Sequence, residues 1–172
     1  VAKAEELNKA NPNSIIAGQF VNPANSAAHF VSTGPEIWHD TEGQIDIFVA
    51  GIGTGGTITG VGAYLKKQNP DIKIVAVEPY DSPLLSQGKA GPHKLQGIGA
   101  NFVPEVLDTD IYDEIITVTT EEAMGAMKAL AQNEGLFAGI TSGAAVNAAV
   151  RLAKRPENKG KTIVAFLPDT GE

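Results

Sequence analysis

None of the 172 residues is a cysteine, which excludes disulfides, thiolate nucleophiles and cysteine-ligated metals together. Basic residues are few beside acidic ones, 13 against 20, and the net charge of −7 argues against a long nucleic-acid footprint. A small anionic ligand stays open, because a nest of backbone N–H groups dominates the field at short range. No apolar run approaches the ~18 residues needed to span a bilayer, and no charged start leading into an apolar core marks a secretory leader. The expectation is a cytoplasmic location with no membrane or nucleic-acid partner. His29, His39 and His93 are scattered without metal-ligating spacing, so no metal site is expected.

Glycine, by contrast, is plentiful at 19 residues and densest in Gly51-Ile52-Gly53-Thr54-Gly55-Gly56-Thr57. This turn follows the apolar run Ile45 to Ala50 and opens a helical pattern. Glycine permits positive φ and close approach of the backbone to a ligand, while the next helix adds unpaired N–H groups and the positive end of its dipole. The pattern predicts an anion cradle whose preferred guest is a phosphate. Around it, Ser14 to Phe20, Ile45 to Ala50, Ile72 to Val77, Ile115 to Val118 and Thr162 to Leu167 read as short buried parallel strands. Helices are expected over Ala2 to Lys9 and Thr57 to Lys67, from the capping box Thr119-Thr120-Glu121-Glu122 to Asn133-Glu134-Gly135, and from Ser142-Gly143 to the Arg155-Pro156 break. The alternation predicts an α/β fold, a parallel sheet with helices on both faces in three layers. The chain starts at Val1 rather than a methionine and stops just after a strong strand, so a fragment of a longer protein is expected.

Residues Tyr80 to Ile111 interrupt the rhythm with three prolines and four glycines, and are too long and turn-rich for a mere connector. Their centre, Gly91 to Gly99, reads either as a loop lining a ligand cleft or as packing. The glycine turn also has a look-alike: Gly51-x-Gly53-x-x-Gly56 satisfies the dinucleotide fingerprint, and Glu78 closes the next strand where an acid would hold a ribose hydroxyl. Gly55 and the two threonines suit a loop wrapped around one terminal phosphate better. A second small-residue turn, Gly139-Ile140-Thr141-Ser142-Gly143, marks another helix start, with Ser142 as an ordinary N-cap on the simplest reading.

Taken in order, Gly53-Thr54-Gly55-Gly56-Thr57, Ala76-Val77-Glu78-Pro79, Gly91-Pro92-His93-Lys94, Gln96-Gly97-Ile98-Gly99, Gly139 to Ala145 and Leu167-Pro168 with Gly171-Glu172 resemble the cysteine synthases, or O-acetylserine sulfhydrylases. Phe20 to Asn25 and Thr33 to Trp38 belong to the same pattern, which covers essentially the whole chain. The resemblance implies a pyridoxal-phosphate enzyme of fold type II that makes L-cysteine from O-acetyl-L-serine and sulfide. It implies that Gly53, Thr54, Gly55, Gly56 and Thr57 grip the cofactor phosphate and that Ser142 meets the pyridine nitrogen. Gln19, at the end of the first expected strand, matches a residue that meets the substrate carboxylate, and Gly97, Ile98 and Gly99 match a loop bordering the cleft. Residues 1–20 match a remnant of the substrate-side domain, and 21–172 the large domain, truncated at its end. No lysine of this chain stands in the family's Schiff-base context, so no catalytic residue is assigned and the fragment alone is expected to be inactive. A homodimer and a docked serine acetyltransferase C-terminal peptide are implied partners. Cystathionine β-synthase-like and phosphoserine-using sulfhydrylases share these motifs, and an NAD-type dinucleotide-binding domain is the alternative from a different class.

Overall fold

A computed structural model describes residues 2–172. Four parallel strands, β1 (Ile47–Gly51), β2 (Lys73–Pro79), β3 (Glu114–Val118) and β4 (Ile163–Ala165), form one sheet in the order β3-β2-β1-β4. The helices are α1 (Ala2–Ala10), α2 (Ala24–Val31), α3 (Thr33–Asp40), α4 (Gly56–Gln68), the single turn α5 (Leu84–Gln87), α6 (Thr120–Glu134) and α7 (Ile140–Ala153). Among the described residues no helix is long and apolar enough to cross a membrane.

The continuous apolar strand sequences follow from burial on both faces. With the period of two, Ile47, Val49, Val75, Val77, Ile116 and Val118 turn to one face, where Ala144, Ala148 and Leu152 of α7 and Ala123 of α6 cover them. Phe48, Ala50, Ile74 and Ala76 turn to the other, against Ile58, Val61 and Leu65 of α4. Phe48, Ile58 and Leu65 are wholly inaccessible, and such side chains contribute about 1.5–3 kcal/mol each when removed from water. The three expected layers are therefore present. α2 and α3 pack in turn on α4, and α6 lies beside α7.

The capping box behaves as expected: the Thr119 amide donates to Glu122 Oε2 at 2.8 Å, and the Glu122 amide donates to Thr119 Oγ1 at 3.2 Å. Gly135 ends α6 at φ +70°. Three expectations fail. Residues 14–20 form no strand and pair with neither edge of the sheet; Ile15 is 92% exposed and Ile16 48%. Gln19 consequently sits in a turn, not at a strand end. The helices α2 and α3 were not foreseen: each is only 8 residues long, and α3 carries Gly34 and Pro35 in its first turn. Finally, α7 begins at Ile140, so Ser142 lies inside its first turn rather than at the N-cap.

Sheet order creates the site. From β1 the chain moves outward through β2 to β3, then returns across the sheet to place β4 on the other side of β1. The reversal leaves a crevice beyond the carboxyl ends of β1 and β4, the place where open α/β sheets bind ligands.

Candidate functional site

A cavity of about 290 Å³ occupies that crevice, lined by Gln19, Gly51, Gly53, Thr54, Gly55, Thr57, Gly97, Ile98, Thr141, Phe166 and Pro168. The glycine turn forms one wall. Gly55 holds φ +84° as the residue before α4, and a Cβ there would also stand 2.6 Å from Leu107 Cβ. Gly53 abuts the Gly97 carbonyl so closely that no side chain fits. Both constraints bring backbone rather than side chain to the cavity wall, and the amides of the first turn of α4 have no intrahelical partner.

Hydroxyls complete the donor set. Thr54 Oγ1 accepts from Asn25 Nδ2 at 2.9 Å and from the Gly56 amide at 3.3 Å, which uses both lone pairs and leaves its proton to donate. Asn25 Nδ2 also donates to the Gln19 carbonyl at 2.8 Å, tying the turn at 19 to the cradle. Thr57 Oγ1 lies 3.2 Å from His29 Nε2, and His29 Nδ1 lies 2.9 Å from Thr33 Oγ1. Burial lowers the His29 pKa, favouring the neutral ring. In the tautomer that carries Nε2–H, the ring donates to Thr57 Oγ1 and leaves the Thr57 proton to donate elsewhere. Among the described residues, no carboxylate and no lysine lines this cavity. Uncharged donors at a helix N-terminus suit an anion, and the residues present fit a phosphate.

Of the expected cleft residues, Gln19, Gly97 and Ile98 line the cavity. Gly99 does not; its amide donates to the Ile52 carbonyl at 2.9 Å and its φ of +70° turns the loop back to the core. The excursion after β2 is thus a packed cleft wall, pinned by buried Leu95 and Ile98. Ser142 lies outside the lining and is wholly buried. Its amide and that of Thr141 donate to the two carboxylate oxygens of Asp169 at 2.8 and 2.9 Å. The carboxylate caps α7 from 27 residues away in sequence. Burial opposes the Asp169 anion, but the bonds from the Ser142 hydroxyl and the two amides outweigh it and hold the pKa below the usual carboxylate value.

Asn25, Thr141, Phe166, Pro168 and Asp169 went unrecognised as site residues. Asn25 and Pro168 had stood only as members of a family pattern; Phe166 and Asp169 carry no local signal, since only the sheet order brings the β4 end to the β1 end. Glu78 is withdrawn from the ribose role: buried at 2% exposure, it accepts from the Leu85 amide at 2.9 Å and from the Ser86 amide at 3.1 Å. Both oxygens cap α5, and burial keeps the carboxylate from reaching a ribose.

An uncharged donor set at the switch point of a parallel sheet is an arrangement suited to an anionic ligand in an α/β domain. A family model described as pyridoxal-phosphate dependent enzyme matches residues 1–169. The chain belongs to the pyridoxal-phosphate dependent enzyme family. Cysteine synthase A of Escherichia coli is 49% identical over all of this chain, which covers 56% of that protein. The crystal structure of a cysteine synthase from Entamoeba histolytica matches 99% of this chain and 50% of its own with a TM-score of 0.94 at 43% identity. O-ureido-L-serine synthase matches 99% of this chain and 54% of its own, with a TM-score of 0.93 at 42% identity. The chain spans about half the length of the curated relatives it matches.

Proposed function

We propose that this chain is the phosphate-gripping part of a cysteine synthase, which replaces the acetate of O-acetyl-L-serine with sulfide to give L-cysteine. The observation that carries the reading is the uncharged donor set at 53–57, facing the same cavity as Gln19, Gly97 and Ile98. In this reading the first amides of α4 and the hydroxyls of Thr54 and Thr57 hold the cofactor phosphate, with Gly53, Gly55 and Gly56 giving it backbone access. Ser142 stands at the ring nitrogen, Gln19 orients the substrate carboxylate, and Gly97 to Gly99 border the cleft. Bound pyridoxal phosphate supplies the electron-withdrawing ring that makes exchange at the serine β-carbon accessible. The covalent lysine anchor and the acid–base group come from residues beyond this chain. Residues 1–20 belong with a substrate-side domain, consistent with α1 having no buried residue, and 21–172 with the large domain. A cytoplasmic homodimer that docks a serine acetyltransferase C-terminal peptide at the cleft completes the reading.

The test is an assay of the full-length protein and of this chain, each with sulfide and O-acetyl-L-serine, O-phospho-L-serine or L-serine. Cysteine formation from O-acetyl-L-serine by the full-length protein alone is expected. Preference for O-phospho-L-serine reassigns the leaving group, and turnover by this chain alone overturns the assignment of the lysine. Sedimentation and titration with the acetyltransferase peptide check the two partners.

A further inference from the structure

We infer that His29 is a positioning residue for the cofactor phosphate, acting through the Thr57 hydroxyl, an inference that rests on the pyridoxal-phosphate reading above. Asn25 and His29 stand four residues apart in α2, on one face of the helix. That face packs on the first turns of α4 at two glycines. Gly56 lies so close to the Asn25 side chain that no Cβ fits, and a Cβ on Gly60 would stand 2.7 Å from His29 Cβ. Each of the two α2 side chains thereby reaches one hydroxyl of the cradle: Asn25 Nδ2 lies 2.9 Å from Thr54 Oγ1, and His29 Nε2 lies 3.2 Å from Thr57 Oγ1. Both threonines line the cavity. For Asn25 the direction is fixed, because its Nδ2 also donates to the Gln19 carbonyl, which can only accept. Thr54 thus receives a bond from α2 and keeps its own proton.

His29 has two tautomers to choose between. Burial disfavours its charged form, so the ring carries one proton. With that proton on Nδ1, the ring donates to Thr33 Oγ1, 2.9 Å away, and Nε2 draws the Thr57 proton away from the cavity. An anion would then meet a lone pair. With the proton on Nε2, Thr33 donates to Nδ1, Nε2–H donates to Thr57 Oγ1, and the Thr57 proton is left for the anion. Thr33 serves either arrangement, since a hydroxyl both donates and accepts. The guest separates them, because a hydrogen bond to a charged oxygen is roughly twice as strong as a neutral one. A bound phosphate therefore holds His29 in the Nε2–H form, and the relay of Thr33, His29 and Thr57 points its protons one way, into the cradle. His29 stands behind the cavity wall rather than in it, so its effect passes through Thr57.

The experiment loads the full-length protein, ¹⁵N-labelled at histidine, with pyridoxal phosphate, and H29Q identifies the His29 resonances by their loss. The expected spectrum shows a protonated Nε2 and an unprotonated Nδ1. Pyridoxal phosphate is then titrated into apoprotein of the wild type, H29Q, H29L, T57V and the double variant H29L/T57V, with thermal melts verifying the fold. H29L is expected to lose about tenfold in affinity. H29Q, whose amide offers a donor near the place of Nε2, should stay within about threefold of wild type. In the T57V background, H29L should cost no more than about twofold, since the hydroxyl it acts through is gone. An Nδ1–H tautomer in the loaded protein overturns the inference. So does unchanged affinity in H29L, a loss in H29Q equal to that in H29L, or an H29L loss as large with T57V as without it, which would mark a packing role. If H29L fails to fold, the tautomer and H29Q decide. Failure of the wild-type protein to bind pyridoxal phosphate at all would instead overturn the functional reading.

Discussion

The N-termini of α4 and α7 face one crevice from opposite sides of the sheet, and they treat negative charge differently. At α4 the dipole and the free amides are left open to the cavity, with Gly53, Gly55 and Gly56 keeping side chains out. At α7 the same kind of small-residue turn is already capped by a carboxylate from the chain itself, Asp169. Two similar stretches of sequence thus leave one helix end open to the cavity and one internally satisfied. A helix N-terminus binds a ligand only where nothing in the fold reaches it first.

Closing the open end is expected to have the largest effect. In Gly53→Val the side chain collides with the Gly97 carbonyl. Displacing the turn loses at least two hydrogen bonds to a charged group, on the order of 100-fold in pyridoxal-phosphate affinity of the full-length protein. Calorimetric titration measures it, and affinity unchanged within about threefold would remove the cradle from the site. Opening the closed end comes next. Asp169→Ala leaves the amides of Thr141 and Ser142 unpaired and is expected to cost about 1–2 kcal/mol in urea unfolding, with Asp169→Asn costing less than half of that. Because the folded pKa of Asp169 lies below its ordinary value, this stabilisation is present above the unfolded pKa and is lost as pH falls through the folded one. The difference between wild type and D169N should therefore shrink in acid.

A subtler change at the open end is Thr54→Val, which keeps the shape but removes the only hydroxyl in the turn that both Asn25 and the Gly56 amide support. About a tenfold loss of cofactor affinity is expected, near 1.4 kcal/mol; an equal loss in Thr41→Val, outside the cavity, would show that the effect is not local. The smallest effect belongs to a charged cluster at the opposite end of the sheet. Glu114, at the start of β3, accepts from Arg155 at 2.6 and 2.9 Å and from Lys73 at 2.6 Å. The Arg155 bonds, against burial and with help from Lys73, lower its pKa from 4.5 to about 2. Its contribution is fully present above the unfolded value and disappears as pH falls from about 4.5 toward 2. Glu114→Gln should cost no more than about 1 kcal/mol at neutral pH after solvent screening. It should steepen acid unfolding less than wild type does over that window and leave cofactor affinity unchanged.

Much of this was legible before any coordinates, for identifiable reasons. The cradle is a contiguous string of residues whose backbone requirements are local, and the strands at 47–51, 73–79 and 114–118 overlap the Ile- and Val-rich runs at 45–50, 72–77 and 115–118 that read as strands. The α6 capping box likewise depends on residues three apart. What stayed hidden depends on chain segments far apart in sequence. Residues 14–20 have strand composition but no neighbouring strand among the described residues to pair with. Glu78 looks like a ribose acid until α5 is seen sitting on both its oxygens. Asp169 looks like a polar turn residue until β4 carries it back to α7.

Local backbone chemistry, then, set what the turn can offer: glycines and threonines in that order can present amides and hydroxyls to a phosphate wherever the turn is placed. The location of the cleft, the wall that loop 91–99 makes, and the direction in which the Ser142 proton points were decided only when the sheet reversed beside β1. That reversal brings atoms more than a hundred residues apart within hydrogen-bonding distance, as in the Thr162 amide donating to Asp46 Oδ2 at 2.7 Å, and no local pattern encodes such a distance.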